Sequence, residues 1–132
     1  MRTYVHRPKS TSKFPAILFY SEIFQQTGPI ERAAKILASH GFVVLVPEVF
    51  HELNEIGTVL NYDDAGRDKC NADKSEKGVQ SYDTDNQAMI DWINTQKWSN
   101  CHIGAIGFCI GGHLAFRAAP VSYTHLTLPT KA

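Results

Sequence analysis

Gly104-Ala105-Ile106-Gly107-Phe108-Cys109-Ile110-Gly111-Gly112-His113-Leu114-Ala115 sets a cysteine between glycines, where a strand-like run gives way to a helix-like one. A side chain at a sharp strand-to-helix turn is pushed out above the sheet, and the first amides of the following helix point at charge that develops there. Gly107 and Gly111 fit the same geometry. Such a turn brings backbone against backbone, so a Cβ would clash, and positive φ is a second reason for glycine. Free cysteine ordinarily packs as a small hydrophobe. Cys70, in a polar stretch, and Cys101, just before an apolar run, keep that reading, whereas Cys109 in its glycine frame reads as a nucleophile.

Two other glycine motifs fail on spacing. Gly104, Gly107 and Gly111 are too far apart for the G-x-G-x-x-G dinucleotide fingerprint. Gly107 to Gly112 gives the first half of a phosphate loop, but His113 and Leu114 stand where the lysine and the magnesium-binding hydroxyl belong. Cys109 and His113, one helical turn apart, are two potential metal ligands without a third or fourth, so no metal and no cofactor is expected.

Working outward, the elements alternate. Pro15-Ala16-Ile17-Leu18-Phe19-Tyr20 and Phe42-Val43-Val44-Leu45-Val46 are short apolar runs, as expected of strands buried on both faces of a parallel sheet. Between them Ile30, Ala33, Ala34, Leu37 and Ala38 recur at helical spacing, with Pro29 suited to the first turn and Gly41 to the stop. This is a βαβ unit. A second helix is predicted from about Asp83 to Thr95, with Ala88, Met89, Trp92 and Ile93 on one side. His102-Ile103-Gly104-Ala105-Ile106 is the strand feeding the turn, and Leu114, Ala115 and Ala118 continue beyond it as a helix face. The pattern predicts an α/β fold, a mostly parallel sheet flanked by helices, with its site at the carboxyl ends of the strands. Residues 51–78 carry mixed charge without a sustained period and read as a solvated loop, or as a cap offering Arg67, Lys69 or Lys74 to an acidic substrate.

The 132 residues hold 13 basic and 13 acidic side chains, so no net charge favours nucleic acid or an anionic membrane. No apolar run is long enough to span a bilayer, the first residues lack the apolar core of a signal peptide, and three cysteines form no disulfide framework. A cytoplasmic location and a small-molecule partner are expected. Oligomeric state is left open.

Residues Gly107 to Ala119, with Ser21-Glu22-Ile23-Phe24 after the first strand and Val46-Pro47-Glu48-Val49 after the second, resemble the dienelactone hydrolase family of α/β-hydrolases. The likeness runs over about residues 1–119. It is specific, because serine rather than cysteine is the rule in this elbow among α/β-hydrolases. The resemblance implies a carboxylic-ester or lactone hydrolase in which Cys109 attacks the carbonyl to form an acyl-enzyme. It further implies that Glu22 contacts the resting thiol and helps make the thiolate, and that the amides of Ile23 and Ile110 form the oxyanion hole. From the residues alone, Glu22 reads first as a carboxylate capping the next helix.

The resemblance also implies an aspartate and a histidine on later strand ends. Residues 120–132 are too few to supply them, so a partial α/β-hydrolase fold is expected, with the carboxyl-terminal strands missing and poor catalysis. His125 lies too soon after the elbow helix to serve, and His113 is expected to leave the mouth of the turn. Residues 120–132 read as a non-native tail, resembling a translated adapter, and Met1 as an internal methionine of a longer frame. The alternatives are a non-catalytic binding or scaffold protein on the same fold, and a redox-reactive cysteine protein.

Overall fold

The computed structural model describes residues 1–122, with side chains through Ala119; the expected foreign tail falls almost wholly outside these, as does His125. Four strands, β1 (Thr3–His6), β2 (Phe14–Tyr20), β3 (Val43–Pro47) and β4 (Ser99–Gly107), form one sheet in the order β1-β3-β2-β4. β2 runs parallel to both β3 and β4, and β1 alone is antiparallel. The largely parallel sheet expected from the sequence is present. Among the described residues four helices accompany it: α1 (Gly28–Ser39), α2 (Asp64–Glu76), α3 (Val79–Thr95) and α4 (Ile110–Ser122).

Strand alternation sorts the apolar residues into two layers. Phe19, Val44 and Val46 face one side and pack with Ile30, Ala34 and Ala38 of α1. Ala16, Leu18, Tyr20, Val43 and Leu45 face the other, against Met89, Ile90 and Ile93 of α3 and Leu114, Ala115 and Ala118 of α4. Burying each large side chain stabilises the fold by about 1.5–3 kcal/mol, which is why the central strands β2 and β3 read as continuous apolar runs. β4 lies at an edge, and Cys101, His102, Gly104 and Ile106 on it are exposed.

Three elements differ from expectation. β4 starts earlier than residue 102, because Phe14 pairs with Ser99 and Ala16 with Ile103, so a step of two on β2 spans four on β4. Cys101 sits in that bulge at φ +64°, held by its N–H donating to Ser99 Oγ at 3.0 Å. α3 begins four residues before Asp83, and its buried stripe is Tyr82, Asn86, Met89, Ile90 and Ile93, leaving Ala88 and Trp92 exposed. Asn86 extends the stripe as a polar member, accepting a hydrogen bond from the Tyr20 hydroxyl.

The third difference is α2, inside the stretch read as a loop. Its amino terminus is capped by Asp63, whose Oδ1 accepts from the Gly66 N–H at 2.7 Å. Its buried residues are Gly66, Cys70 and Asp73. Helical spacing is there, without apolar bulk to reveal it. Among the described residues no helix is long and apolar enough to cross a membrane.

Candidate active site

The turn between β4 and α4 puts Cys109 at φ +56°, in the left-handed region where a residue with a Cβ is strained by about 1–3 kcal/mol. Its side chain is exposed. Backbone bonds hold the turn: Phe108 N–H donates to Tyr20 O at 3.2 Å, Gly111 N–H to Phe108 O at 2.8 Å, and Gly112 N–H to Cys109 O at 3.1 Å. As the first residue of α4, Ile110 has an N–H without an intrahelical acceptor.

Two of the three elbow glycines are required by space. A Cβ on Gly107 would overlap the Gly111 carbonyl and reach 2.7 Å from Gly112 N, and one on Gly111 would overlap Tyr20 O and reach 2.7 Å from Ser21 O. Neither glycine has positive φ, so that part of the expectation is corrected: the left-handed residue is the cysteine itself. A Cβ on Gly112 would meet only Gly107 O, at an ordinary 3.8 Å.

Because Gly111 packs directly on Tyr20 and Ser21, the loop after β2 is drawn to the elbow. Gln25 shapes that loop at φ +71°, buried, with its Oε1 accepting from Val49 N–H at 3.1 Å and its N–H donating to Glu22 O at 3.2 Å. Glu22 does not cap α1; Thr27 occupies the N-cap position. The Glu22 Oε1 accepts from the Tyr62 hydroxyl, whose oxygen is also 2.8 Å from Thr27 Oγ1 and whose ring packs on Phe24 with centroids 4.6 Å apart. Burial, and then the hydrogen bond to Glu22, push the Tyr62 phenol above its ordinary pKa.

A cavity of about 500 Å³ opens beside the thiol. Ile23 and Cys109 line it together, and α4 contributes Ile110, His113 and Arg117. His113 was expected to leave the mouth of the turn; it lines the cavity, because the cavity runs along the α4 face that repeats at three and four residues from Ile110. Of the three cations proposed for the cap, Arg67 pairs with Asp64 at 3.2 Å and Lys69 pairs with Asp73, while Lys74 lines the cavity. Arg117 is held in a two-pronged pair by Asp83, at 2.6 and 2.8 Å.

At the cavity wall, Lys77 fixes the α2–α3 junction. Its side chain is 1% exposed, and the ammonium donates to Val49 O at 2.6 Å, Asp85 Oδ2 at 2.6 Å and Glu52 Oε2 at 3.0 Å. His51 Nε2 lies 3.0 Å from Asp85 Oδ1. His51, Glu52 and Asp85 are the one trio of possible metal ligands within reach of one another among the described residues, and Lys77 already places its cation on both carboxylates.

The sequence profile of the dienelactone hydrolase family matches residues 1–127. The chain belongs to that family. It is 42% identical over 124 residues to a putative carboxymethylenebutenolidase of Saccharomyces cerevisiae, covering 89% of this chain and 45% of that one. It is 27% identical over 114 residues to the carboxymethylenebutenolidase of Pseudomonas putida, covering 83% and 46% respectively. The fold superposes on a dienelactone hydrolase-like promiscuous phosphotriesterase from metagenomic libraries with a TM-score of 0.69 at 20% identity, covering 90% of this chain and 48% of that one. The chain thus spans about half the length of the relatives it matches, and its fold is part of the α/β-hydrolase fold.

Within this dienelactone hydrolase fold, the structure brings Ile23, Cys109 and Ile110 to one cavity and turns the Glu22 carboxylate to Tyr62 instead. Among the described residues no hydrogen bond ties the Cys109 thiol to Glu22. Tyr62, Gln25 and Lys77 were not singled out as site residues from the sequence. Tyr62 and Gln25 act across at least two dozen residues of chain, and Lys77 reaches back to Val49 and Glu52 as well as eight residues on to Asp85, so nearby sequence signals none of them.

Proposed function

We propose that this chain carries the nucleophile part of a hydrolase acting on carboxylic esters or lactones, the reaction that the family and the names of its relatives indicate. The observation that carries this reading is Cys109 itself: exposed, in a strained left-handed conformation at a strand-to-helix turn, and open to a cavity it shares with Ile23. Cys101 is also exposed and left-handed, at φ +64°, and what sets Cys109 apart is the cavity that it lines at the strand-to-helix turn.

In the proposed step the Cys109 sulfur bonds to the acyl carbon and its proton passes to a base, for which Glu22 is the candidate. The carbonyl oxygen takes the electron pair, and the amides of Ile23 and Ile110 receive it; one such donor is worth about 2.7–4 kcal/mol in the barrier. Collapse expels the alcohol oxygen, which takes up a proton, and leaves a thioester that water must cleave. Acylation needs only groups present here. Hydrolysis of the thioester calls on a histidine paired with an acid, and among the described residues His113, the histidine that lines the cavity, is paired with no carboxylate, so the 132-residue chain is expected to acylate and then turn over slowly. Lys74 is the candidate to meet a negatively charged substrate group at the cavity wall.

The test is intact-mass and peptide-mass analysis after brief exposure to a small activated ester. One acyl group should add at Cys109, ahead of Cys101, which is also exposed, and of buried Cys70, and should vanish in Cys109→Ala. Equal acylation of Cys101 and Cys109 would sink the proposal.

A further inference from the structure

Tyr62 holds Glu22 by an arrangement with only one proton assignment. A phenol has one proton to give, and both Glu22 Oε1 and Thr27 Oγ1 lie against its oxygen. The carboxylate can only accept. The phenol proton therefore goes to Glu22, and the Thr27 hydroxyl donates to the Tyr62 oxygen, giving a relay from Thr27 through Tyr62 to Glu22. Thr27 is 5% exposed and stands at the N-cap of α1, where a threonine side chain ordinarily accepts from a first-turn N–H. It makes no such bond here. A cap interaction worth about 1 kcal/mol is forgone, and the hydroxyl serves Tyr62 instead.

The loop carrying Tyr62 is fixed independently of that contact, by Leu60 N–H on Phe24 O at 3.2 Å and by the Phe24–Tyr62 ring contact. We infer that Tyr62 is a latch: a positioning residue that parks the Glu22 carboxylate away from the Cys109 thiol and so sets how reactive the resting thiol is. The inference rests on the proposed pairing of Glu22 with Cys109.

Releasing the latch has a signed consequence. A carboxylate set free beside a thiol disfavours the thiolate, by like charge and by accepting the S–H. The test measures iodoacetamide labelling of Cys109 against pH, read by peptide mass spectrometry on the 132-residue chain, in the unaltered protein, Tyr62→Phe, Glu22→Gln and the double variant. Tyr62→Phe keeps the ring on Phe24 and removes only the hydroxyl. It should slow labelling at pH 7 by roughly threefold to tenfold, a shift of about half to one pH unit in the midpoint. Glu22→Gln removes a carboxylate that is already parked, so it should label like the unaltered chain, and the double variant should match Glu22→Gln alone. The pairing is read separately, by acylation of Cys109 with a small activated ester, which Glu22→Gln should slow. If Tyr62→Phe is silent, or acts equally in both backgrounds, while Glu22→Gln slows acylation, the latch is wrong and the pairing of Glu22 with Cys109 stands. If Glu22→Gln leaves acylation unchanged, the pairing and the latch fall together. Carbon-13 tyrosine NMR reads the contact itself: the Tyr62 phenol should titrate higher in the unaltered chain than in Glu22→Gln, and identical titrations would overturn the latch.

Discussion

The turn at Cys109 and the helix α2 both bury backbone at close quarters, yet they are written into the sequence in opposite ways. The turn depends on residue type. Gly107 and Gly111 have no room for a methyl group, and their spacing around Cys109 is visible in twelve consecutive letters. The helix depends on partners. Its inner seam runs Gly66, Cys70, Asp73 and then Lys77, spaced by four, three and four residues, and the charged members are buried because polar groups, most of them outside the helix, receive them. Asp73 is met by Lys69 and by Asn54 Nδ2 at 2.8 Å, and Lys77 by Val49, Glu52 and Asp85. A seam of that kind keeps helical period while losing hydrophobic contrast, so a reading by apolar residues alone predicts a loop.

The largest expected effect separates the elbow glycines from one another. Gly111→Ala and Gly107→Ala push a methyl group into backbone that has no rotamer to retreat to, and each should abolish the cooperative melt or cost more than about 4 kcal/mol, the range reserved for severe steric or backbone conflicts. Gly112→Ala, one residue on, should behave oppositely. It lies inside α4 with only an ordinary contact, so removing backbone freedom should stabilise the chain by roughly 0.5–1 kcal/mol. Circular-dichroism melts of the three variants check the ordering. A Gly111→Ala protein as stable as Gly112→Ala would mean that the elbow is not closed on β2 at all.

What the sequence made legible follows the same division. β2, α1 and β3 could be read because Pro29, Gly41 and Pro47 punctuate runs whose burial is apolar on both faces of the sheet. The position of Cys109 could be read from its glycines, and the loop at Glu22 and Ile23 from the family likeness. α3 was read one turn short because its first buried residues, Tyr82 and Asn86, are polar or half-polar, and α2 was missed because its seam is polar almost throughout. The surroundings of Glu22 could not be read. Tyr62 lies 40 residues away, and nothing in Asn61-Tyr62-Asp63 announces that its hydroxyl will face a carboxylate.

The next effect tests whether partners really hold α2. Lys77→Met keeps the stem and removes the ammonium, leaving Glu52 and Asp85 facing each other with His51 as the remaining nearby cation when protonated. Deleting one member of a buried ion pair typically costs about 3–5 kcal/mol, because the remaining charge stays desolvated; here that charge is Asp85, 16% exposed, whereas Glu52 at 37% meets solvent. Urea denaturation should show that loss, and adding Asp85→Asn to Lys77→Met should recover part of it by removing one orphaned charge. A Lys77→Met chain with unchanged stability would show that α2 stays in place without its anchor.

The smallest effect decides how much of α2 is local after all. Asp63 caps the helix through Oδ1 and the Gly66 N–H at 2.7 Å, a short-range feature alongside the Lys69–Asp73 pair and Gly66, where a Cβ would overlap Asn61 O. Asp63→Ala removes an acceptor for an otherwise orphaned amide and should cost about 1 kcal/mol, whereas Asp63→Asn keeps an oxygen there and should restore most of it. Measured by the same urea titration, the Asp63→Ala loss should be several times smaller than that of Lys77→Met. If the two were equal, the helix would stand on its own sequence, and the contrast with the elbow would shrink to a difference in residue chemistry. If Asp63→Ala also slowed labelling of Cys109 as Tyr62→Phe should, the neighbouring phenol would be shown to take its position from the start of α2, joining the helix anchored by distant partners to the chemistry of the turn.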